Sequence, residues 1–532
     1  MVKKTLIISN MPIKKSTFLV QQNDLVKAID VDGGGDGRNI PINMNFTETG
    51  YISKDTGVSL DGATETTLCH SLFYYKKKDG TSYILRIKAT KMQTKNQTTG
   101  LWADTASSPT FTAGARMGYV VYDDNLWFGN AVESLYKFDG TSFTEYASNP
   151  KGNNLEIFED RLFISGVTAE PLTLYYSKIS DPTDFTVSSS AGGLVKPLGT
   201  DSIMTQENYY GQLLIFKEKS IWKLTFIYDS IVNLFVPKLE LQSGNYGACS
   251  RKAVTWVEND IWFFTGREVR AIGYKDQQTG ILGINQSVIS DQIKETLYTI
   301  STTDYSKIAT FYNNRRFYLA VPLSSGIEND TIFVCHLLYS SSWTKYKSRI
   351  KASATDFMAI DGVIYSSKSV TPFGTLKWDE TLKNDNSVAI SASVTFRKIE
   401  DADFNRYAFY RYLDIMFKNL EGRMIVTISQ DAYDLRTTKT KTFYIGQALE
   451  DMNATTGEVP FGQKLYGDGY GEDITGSPFQ KKRISFLIKA QTITIGISNS
   501  SLSETFTICQ YILSGFKESR RLAKPSNIVS IK

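Results

Sequence analysis

At 532 residues, 41% hydrophobic and 21% charged, the chain carries enough apolar mass for two or more folded domains, and its composition argues against disorder. A net charge of +4 on so long a chain gives no support to sequence-independent nucleic-acid binding as the main activity, which needs a concentrated basic face. Four cysteines without a CxxC pair and only two histidines argue against a disulfide framework and against a zinc site.

The first stretch, "MVKKTLIISNMPIKK", has two lysines and a short apolar run, but no sustained apolar core followed by a small-residue cleavage site, so it reads as neither signal peptide nor anchor. No apolar stretch approaches the roughly 18 residues of a membrane span, and the expectation is a chain made in the cytosol that stays soluble. Residues 1–59 read as an N-terminal arm and linker. One helix is predicted at 16–29, with Ser16 as its cap, and the chain breaks at Gly33-Gly34-Gly35. "DVDGGGDG" makes Asp30, Asp32 and Asp36 candidate metal ligands. A calcium loop would want an acidic residue where Pro41 stands, and Gly34 replaces its third ligand, so an acidic linker is the plainer reading.

From residue 60 to 385 one unit recurs. "DNLWFGNAVESLYKFDGTSFTEY" (124–146) reads as a polar turn, an apolar strand, a Gly-containing connection, an aromatic strand, an Asp-Gly turn and a third strand. The same plan returns in "KKKDGTSYILRI", "IFEDRLFISG" with "LYYSKISDPTDF", "YYGQLLIFKEKSIWKLTF", "VENDIWFFTGREVRAIG", "YNNRRFYLAV" and "AIDGVIYSSK" with "GTLKWD". Aligned on Ile84, Leu126, Leu162, Leu213, Ile261, Phe317 and Val363, the units recur every 36 to 56 residues or so, which is about the period of a four-stranded propeller blade. The expected fold is all-β: a six- or seven-bladed β-propeller, with a long sandwich array as the alternative. Trp127, Trp222, Trp262, Trp343 and Trp378 fall in or beside unit strands and are read as blade-to-blade core.

Residues 386–520 change texture to longer alternating strands, among them "RYLDIMFKNLEGRMIVTIS" and "KRISFLIKAQTITIGISNS". With Glu421-Gly422 and Ser514-Gly515 as turns, they read as a C-terminal antiparallel β-sandwich. Within it, the Gly-rich stretch 458–479 is expected to project as a loop, and residues 521–532 form a tail.

Catalytic signatures are sparse. No Ser-x-Asp-x-Gly-x-x-Trp turn and no Gly-x-Ser-x-Gly elbow occur, and neither His70 nor His336 lies near a nucleophile motif. Cys69-His70 reads as ordinary strand. A pair of carboxylates meeting only in three dimensions stays open. The reading is therefore not an enzyme, with no cofactor.

In order, the glycine-interrupted arm, propeller phrases such as "NNLEIFEDRLFISG" and "YYSKISDPTDF", and a sandwich ending in "ITIGISNSSLSETFTICQYILSGFKESRR" resemble the β-propeller tail-hub or nozzle proteins of short-tailed bacteriophages, the family that includes packaged-DNA stabilisation proteins. The resemblance implies a structural virion protein, made in the host cytoplasm and built into the tail. Several copies, typically six in a ring, attach below the portal and its adaptor, extend the channel for double-stranded DNA, retain the genome and carry fibres, spikes or a plug. No stable membrane insertion is implied. On this reading Tyr466, Asp468 and Tyr470 of the Gly-rich loop are candidate assembly contacts, and the arm is a candidate for docking on the adaptor. The alternative is a carbohydrate- or receptor-binding propeller stacking sugars on Tyr466 and Tyr470; a polysaccharide-degrading enzyme stands behind it.

Overall fold

The computed structural model describes residues 15–22, 40–47, 50–187, 192–230, 234–276, 281–284, 288–324, 328–339, 342–348, 350–368, 371, 373–396, 399–400, 408–431, 439–446, 480–490 and 492–518. They belong to two compact units: Val31–Asn43 with Asp55–Ile390, and Met1–Asp30 with Met44–Lys54 and Ser391–Lys532.

The larger unit holds seven sheets, whose first strands in chain order are Cys69–Lys76, Gly118–Tyr122, Asn154–Phe158, Ile203–Tyr209, Val254–Val257, Ala309–Asn313 and Ala354–Ile360. A strand buried on both faces needs apolar residues at odd and even positions alike, and the second strand of each sheet has them. In Arg161–Ser165, Leu162 and Ile164 pack toward the preceding sheet while Phe163 packs toward the following one. In Gln212–Lys217, Leu213 and Ile215 face backward and Leu214 and Phe216 forward. In Asp260–Phe264, Ile261 and Phe263 face one way, Trp262 and Phe264 the other. Each cluster of core side chains is thus shared by two consecutive sheets. The last, Leu72 and Ile84 with Met358 and Tyr365, joins the seventh sheet to the first. The sheets form a closed ring, a seven-bladed β-propeller.

The repeat positions from the sequence all lie on second strands, except that blade seven is one residue out of phase: Ile364, not Val363, faces backward into the core shared with blade six. From blade two to blade seven the first and second strands are joined by two-residue turns, shown by the pairs Tyr122↔Asn125, Phe158↔Arg161, Tyr209↔Gln212, Val257↔Asp260, Asn313↔Arg316 and Ile360↔Val363. Asp123-Asp124, Glu159-Asp160 and Asn314-Arg315 take positive φ at both residues, the backbone whose twist matches a right-handed hairpin. In blade five the turn is Glu258-Asn259, because Asp260 already pairs with Val257.

Blade seven takes its fourth strand, Val58–Leu60, from just ahead of blade one: Leu60 pairs with Leu376, Ser59 with Lys377 and Val58 with Trp378; the short strands Asn384–Asp385 and Val388–Ala389 extend the sheet beyond it. Arg86 of blade one, fully buried, locks this closure. Its Nη1 donates to Thr375 Oγ1 of blade seven at 3.1 Å and its Nε to Gln93 Oε1 at 2.9 Å, while Nη2 pairs with the Glu65 carboxylate in the connection leading to blade one. Trp102 covers the guanidinium, 4.3 Å from the ring centre.

The smaller unit is a β-sandwich. One sheet runs Met44–Phe46, Ile52–Lys54, Thr505–Glu518, Ala408–Glu421 and Gln480–Ala490, with Lys15–Gln22 also on Thr505–Glu518. The other contains Ala392–Thr395, Ile399–Glu400, Thr492–Asn499, Arg423–Asp431 and Lys439–Gly446. Thr492–Asn499 buries alternate residues, Ile493, Ile495 and Ile497 among them, and Phe396 meets Tyr511 across the layers at 5.0 Å.

Three sequence expectations change here. Of the helix expected at 16–29, residues 16–22 belong instead to the strand Lys15–Gln22, in register with Thr505–Glu518 from Lys15↔Glu518 to Gln22↔Tyr511, and 23–29 lie outside the described residues; a backbone ladder outcompetes a weak helical preference. Ser514-Gly515 is no turn but mid-strand, where Gly515 lies between Phe18 and Tyr410 of the flanking strands. Glu421-Gly422 is not a hairpin turn either. It carries the chain from one sheet to the other, and any side chain at Gly422 would collide with Glu504, whose carboxylate accepts from Arg423 N at 3.0 Å and Asn499 Nδ2 at 2.6 Å. The 1–59 arm is therefore distributed: Met44–Phe46 and Ile52–Lys54 are sandwich strands, and Val58–Leu60 belongs to the propeller.

Replacing Arg86 by alanine should remove roughly 3 kcal/mol of stability, because charged hydrogen bonds are lost and Glu65 keeps Lys88 as its one cation. A urea midpoint unchanged from wild type would show that the closure does not depend on this side chain.

Candidate functional site

The first strands of the blades stand around the ring axis. At their starting ends, the segments feeding them open into a funnel of about 1350 Å³, lined by residues such as Arg116, Asn153, Tyr246, Arg251, Tyr298 and Tyr305. At this level the first strands of blades one, four and seven carry bulges, at His70/Leu72, Ile203/Thr205 and Ala354/Asp356, which re-aim their side chains.

Three basic side chains cross the ring here. Arg116, leading into blade two, donates through Nη1 to the carbonyls of Ser306 and Lys307, beside blade six, at 3.0 and 3.3 Å. Arg251, leading into blade five, donates through Nη1 to Asn153 O beside blade three at 2.6 Å. Lys252 pairs with Asp356 of blade seven, whose carboxylate also accepts from Leu72 N of blade one at 3.0 Å and Phe357 N at 2.9 Å. Gly118 makes the Arg251 crossing possible: a Cβ there would stand 1.9 Å from Asn153 O and 2.9 Å from Arg251 Nη1.

Arg116, Arg251 and Lys252 are half-buried, the two arginines bordering the funnel, yet protein surrounds all three closely enough that burial is the largest influence on each. Burial and the neighbouring arginines bring Lys252 down to about 8 against the pull of Asp356, and burial brings Arg251 down to about 10. Burial, then the charges of Lys252 and Arg116, lowers His70 to about 4, so its ring is neutral near pH 7; its Nδ1 meets Ser71 Oγ at 2.9 Å. Tyr119, 39% exposed, has its hydroxyl pushed upward by burial and by Asp356.

Farther along the first strands, Glu156 of blade three and Glu207 of blade four form an acidic pair. Burial raises both, and the charge of Glu156 raises Glu207 further. Among the described residues no group of three or more His, Cys, Asp or Glu could hold a metal ion. The pair can hold a proton near neutrality.

Asp30, Asp32, Asp36, Tyr466, Asp468 and Tyr470 lie outside the described residues. His336 is buried in blade six with Nε2 at 3.0 Å from Thr344 Oγ1. Sequence reading missed Arg116, the adjacent Arg251 and Lys252, and Asp356, which come from three separate stretches of the chain. One signal was available: all four fall at or just before the start of a first strand, where a repeat places them around one axis.

No protein-family model matches the chain, and no curated protein matches it. Among solved structures, the computationally designed protein Ika8 is 11% identical, covering 60% of this chain and 99% of its own, with a TM-score of 0.37. YCF48 bound to D1 peptide is 7% identical, covering 61% and 99%, with a TM-score of 0.35. The extracellular domain of a hybrid two component system from B. thetaiotaomicron is 10% identical and covers 69% of this chain, which spans 43% of it, with a TM-score of 0.39. At these scores the likenesses carry no functional argument.

A carboxyl whose folded-state affinity for protons is raised binds more protons folded than unfolded, so its contribution to stability falls as pH rises above the unfolded carboxylate range. Glu207→Gln should therefore raise the thermal midpoint at pH 8, on the order of 2 °C, and leave it nearly unchanged at pH 4. Equal shifts at both pH values would show that Glu207 is not held protonated. Gly118→Ala should lower the midpoint at either pH by displacing Arg251.

Proposed function

We propose that the chain is a structural component of a bacteriophage tail: a nozzle or hub subunit that assembles into a ring below the portal and adaptor, extends the DNA channel, retains the genome and carries fibres or spikes. Sequence resemblance suggests the class. The observation in the fold that best supports a ring subunit is the outer hairpin of blade four, Ile221–Asp229 with Leu234–Ser243. Leu234–Ser243 is the edge of its sheet, and the hairpin holds Ile227, Tyr228, Phe235 and Leu241 at 44 to 62% exposure, with the Tyr228 and Phe235 rings 5.5 Å apart. An apolar edge of this kind suits a neighbouring subunit better than water. A heterologous contact repeated around an axis closes a ring. The bridged axis of the propeller fits the same reading, since the conduit would then run between copies and not through any one of them.

The test is quantitative mass spectrometry on purified virus particles, with about one copy of this chain expected for every two of the portal protein, as a six-fold ring under a twelve-fold portal implies. Particles assembled with Phe235→Asp should lack the chain although the variant folds. Absence of the wild-type chain from particles, or a fibre-like excess, would overturn the reading.

The rival, a carbohydrate- or receptor-binding propeller, has its support in the funnel, where Tyr246, Tyr298 and Tyr305 offer aromatic faces. A glycan array with no bound sugar would set it aside.

A further inference from the structure

The cations at the funnel floor are unequally matched. Lys252 and Asp356 neutralise each other. Arg116 and Arg251 do not have such partners: their recorded bonds go to the neutral carbonyls of Ser306, Lys307 and Asn153, and among the described residues neither pairs with a carboxylate. The funnel walls offer no surplus of negative charge, since Lys219, Arg267 and Lys307 stand there with Glu218, Glu268 and Glu328. Asp356 draws on both arginines from a distance, Glu328 also on Arg116, and Arg116 opposes Arg251 as a like charge, so one carboxylate already paired with Lys252 is shared among three cations. A guanidinium does not shed its proton at any ordinary pH, so two positive charges remain enclosed together.

One donor is also unused. Nη2 of Arg251 is buried without a hydrogen-bond partner, although Nη1 of the same group is held at 2.6 Å. The guanidinium is thus fixed by one arm, in the slot that Gly118 leaves open, and the other arm is idle. An idle charged donor in an enclosed place costs free energy unless an acceptor reaches it. Both arginines line the funnel.

We propose that the funnel floor binds a phosphate group between Arg116 and Arg251. A phosphate near neutral pH carries between one and two negative charges, which answers the two unmatched guanidiniums, and its several oxygens suit planar donors arriving from two sides. Carbonyl bonds from Ser306, Lys307 and Asn153 hold both side chains in place beforehand, so little side-chain ordering is left for the ligand to impose. The funnel volume admits more than a free phosphate, so the group can arrive alone or as the monoester of a sugar. The site is independent of the tail reading: a nozzle subunit and a sugar-binding propeller would carry it alike.

The test is isothermal titration calorimetry on the full chain in phosphate-free buffer at constant ionic strength, with sodium phosphate in one arm and glucose 6-phosphate in the other. Saturable binding at one site per chain is expected, displaced by neither glucose nor chloride. Arg251→Met and Arg116→Met should each weaken it by about tenfold or more, and Lys78→Met, an exposed lysine paired with Asp123 outside the funnel, should leave it unchanged. Tighter binding of the sugar phosphate than of inorganic phosphate would identify the source as a monoester; equal binding would identify the phosphate group alone. Wild-type protein that gives no saturable heat with either ligand overturns the proposal. So does Arg251→Met that binds like wild type. Should a methionine variant fail to fold, Arg251→Lys keeps the charge but loses the planar fork, and must still bind more weakly.

Discussion

Everything in the larger unit follows from one requirement: each blade has two apolar faces, and each face needs a neighbour. A four-stranded sheet with Leu213 and Ile215 on one side and Leu214 and Phe216 on the other is not stable alone, because either set would be left in water. Adding neighbours solves this for interior blades only. The first and last remain half-covered until they meet, so the ring has to close, and the Leu72, Ile84, Met358 and Tyr365 cluster is where it does. The borrowed strand Val58–Leu60 and the Arg86 lock secure that seam by hydrogen bonds and charge where the shared apolar cluster has few members.

The same geometry makes the axis a special place. First strands from seven blades bring their starting ends together, so residues more than a hundred positions apart become neighbours. Lys252 meets Asp356, and Arg116 reaches Ser306, by this convergence alone. Such contacts cost the inter-blade cores nothing, because they lie inside the ring and not between the sheets. The axis is therefore free to carry polar chemistry that a packed core would exclude, and it carries both a basic crossing and the Glu156–Glu207 pair.

Much of the fold was legible because it is written locally. Turn pairs such as Asp123-Asp124 and Glu159-Asp160, followed by strands with a run of consecutive apolar residues, mark the second strand of a blade within ten residues. The sandwich strands also showed themselves by alternation, as in Thr492–Asn499. Legibility ended where a partner far along the chain decides the local state. Residues 15–22 are a strand because Thr505–Glu518 offers them a ladder, and Gly422 turns a corner because Glu504 occupies the space beside it. The funnel residues were hidden for the same reason. Arg251 before Val254–Val257 looks like any loop arginine until blade three supplies Asn153 as its partner.

The pairing of Val58–Leu60 with Gly374–Trp378 also sets a schedule for synthesis. The chain emerges with its closing strand first and the place for that strand last, about three hundred residues later. At roughly 5–20 residues per second, the half-finished ring waits on the order of tens of seconds with an uncovered apolar face at each end. Lys15–Gln22 waits longer still for Thr505–Glu518. Both units are completed by contacts of very long sequence separation, the kind that slows folding. The growing chain therefore depends on its early blades being insoluble enough in water to hold together, yet not so exposed that they find another ribosome's product first.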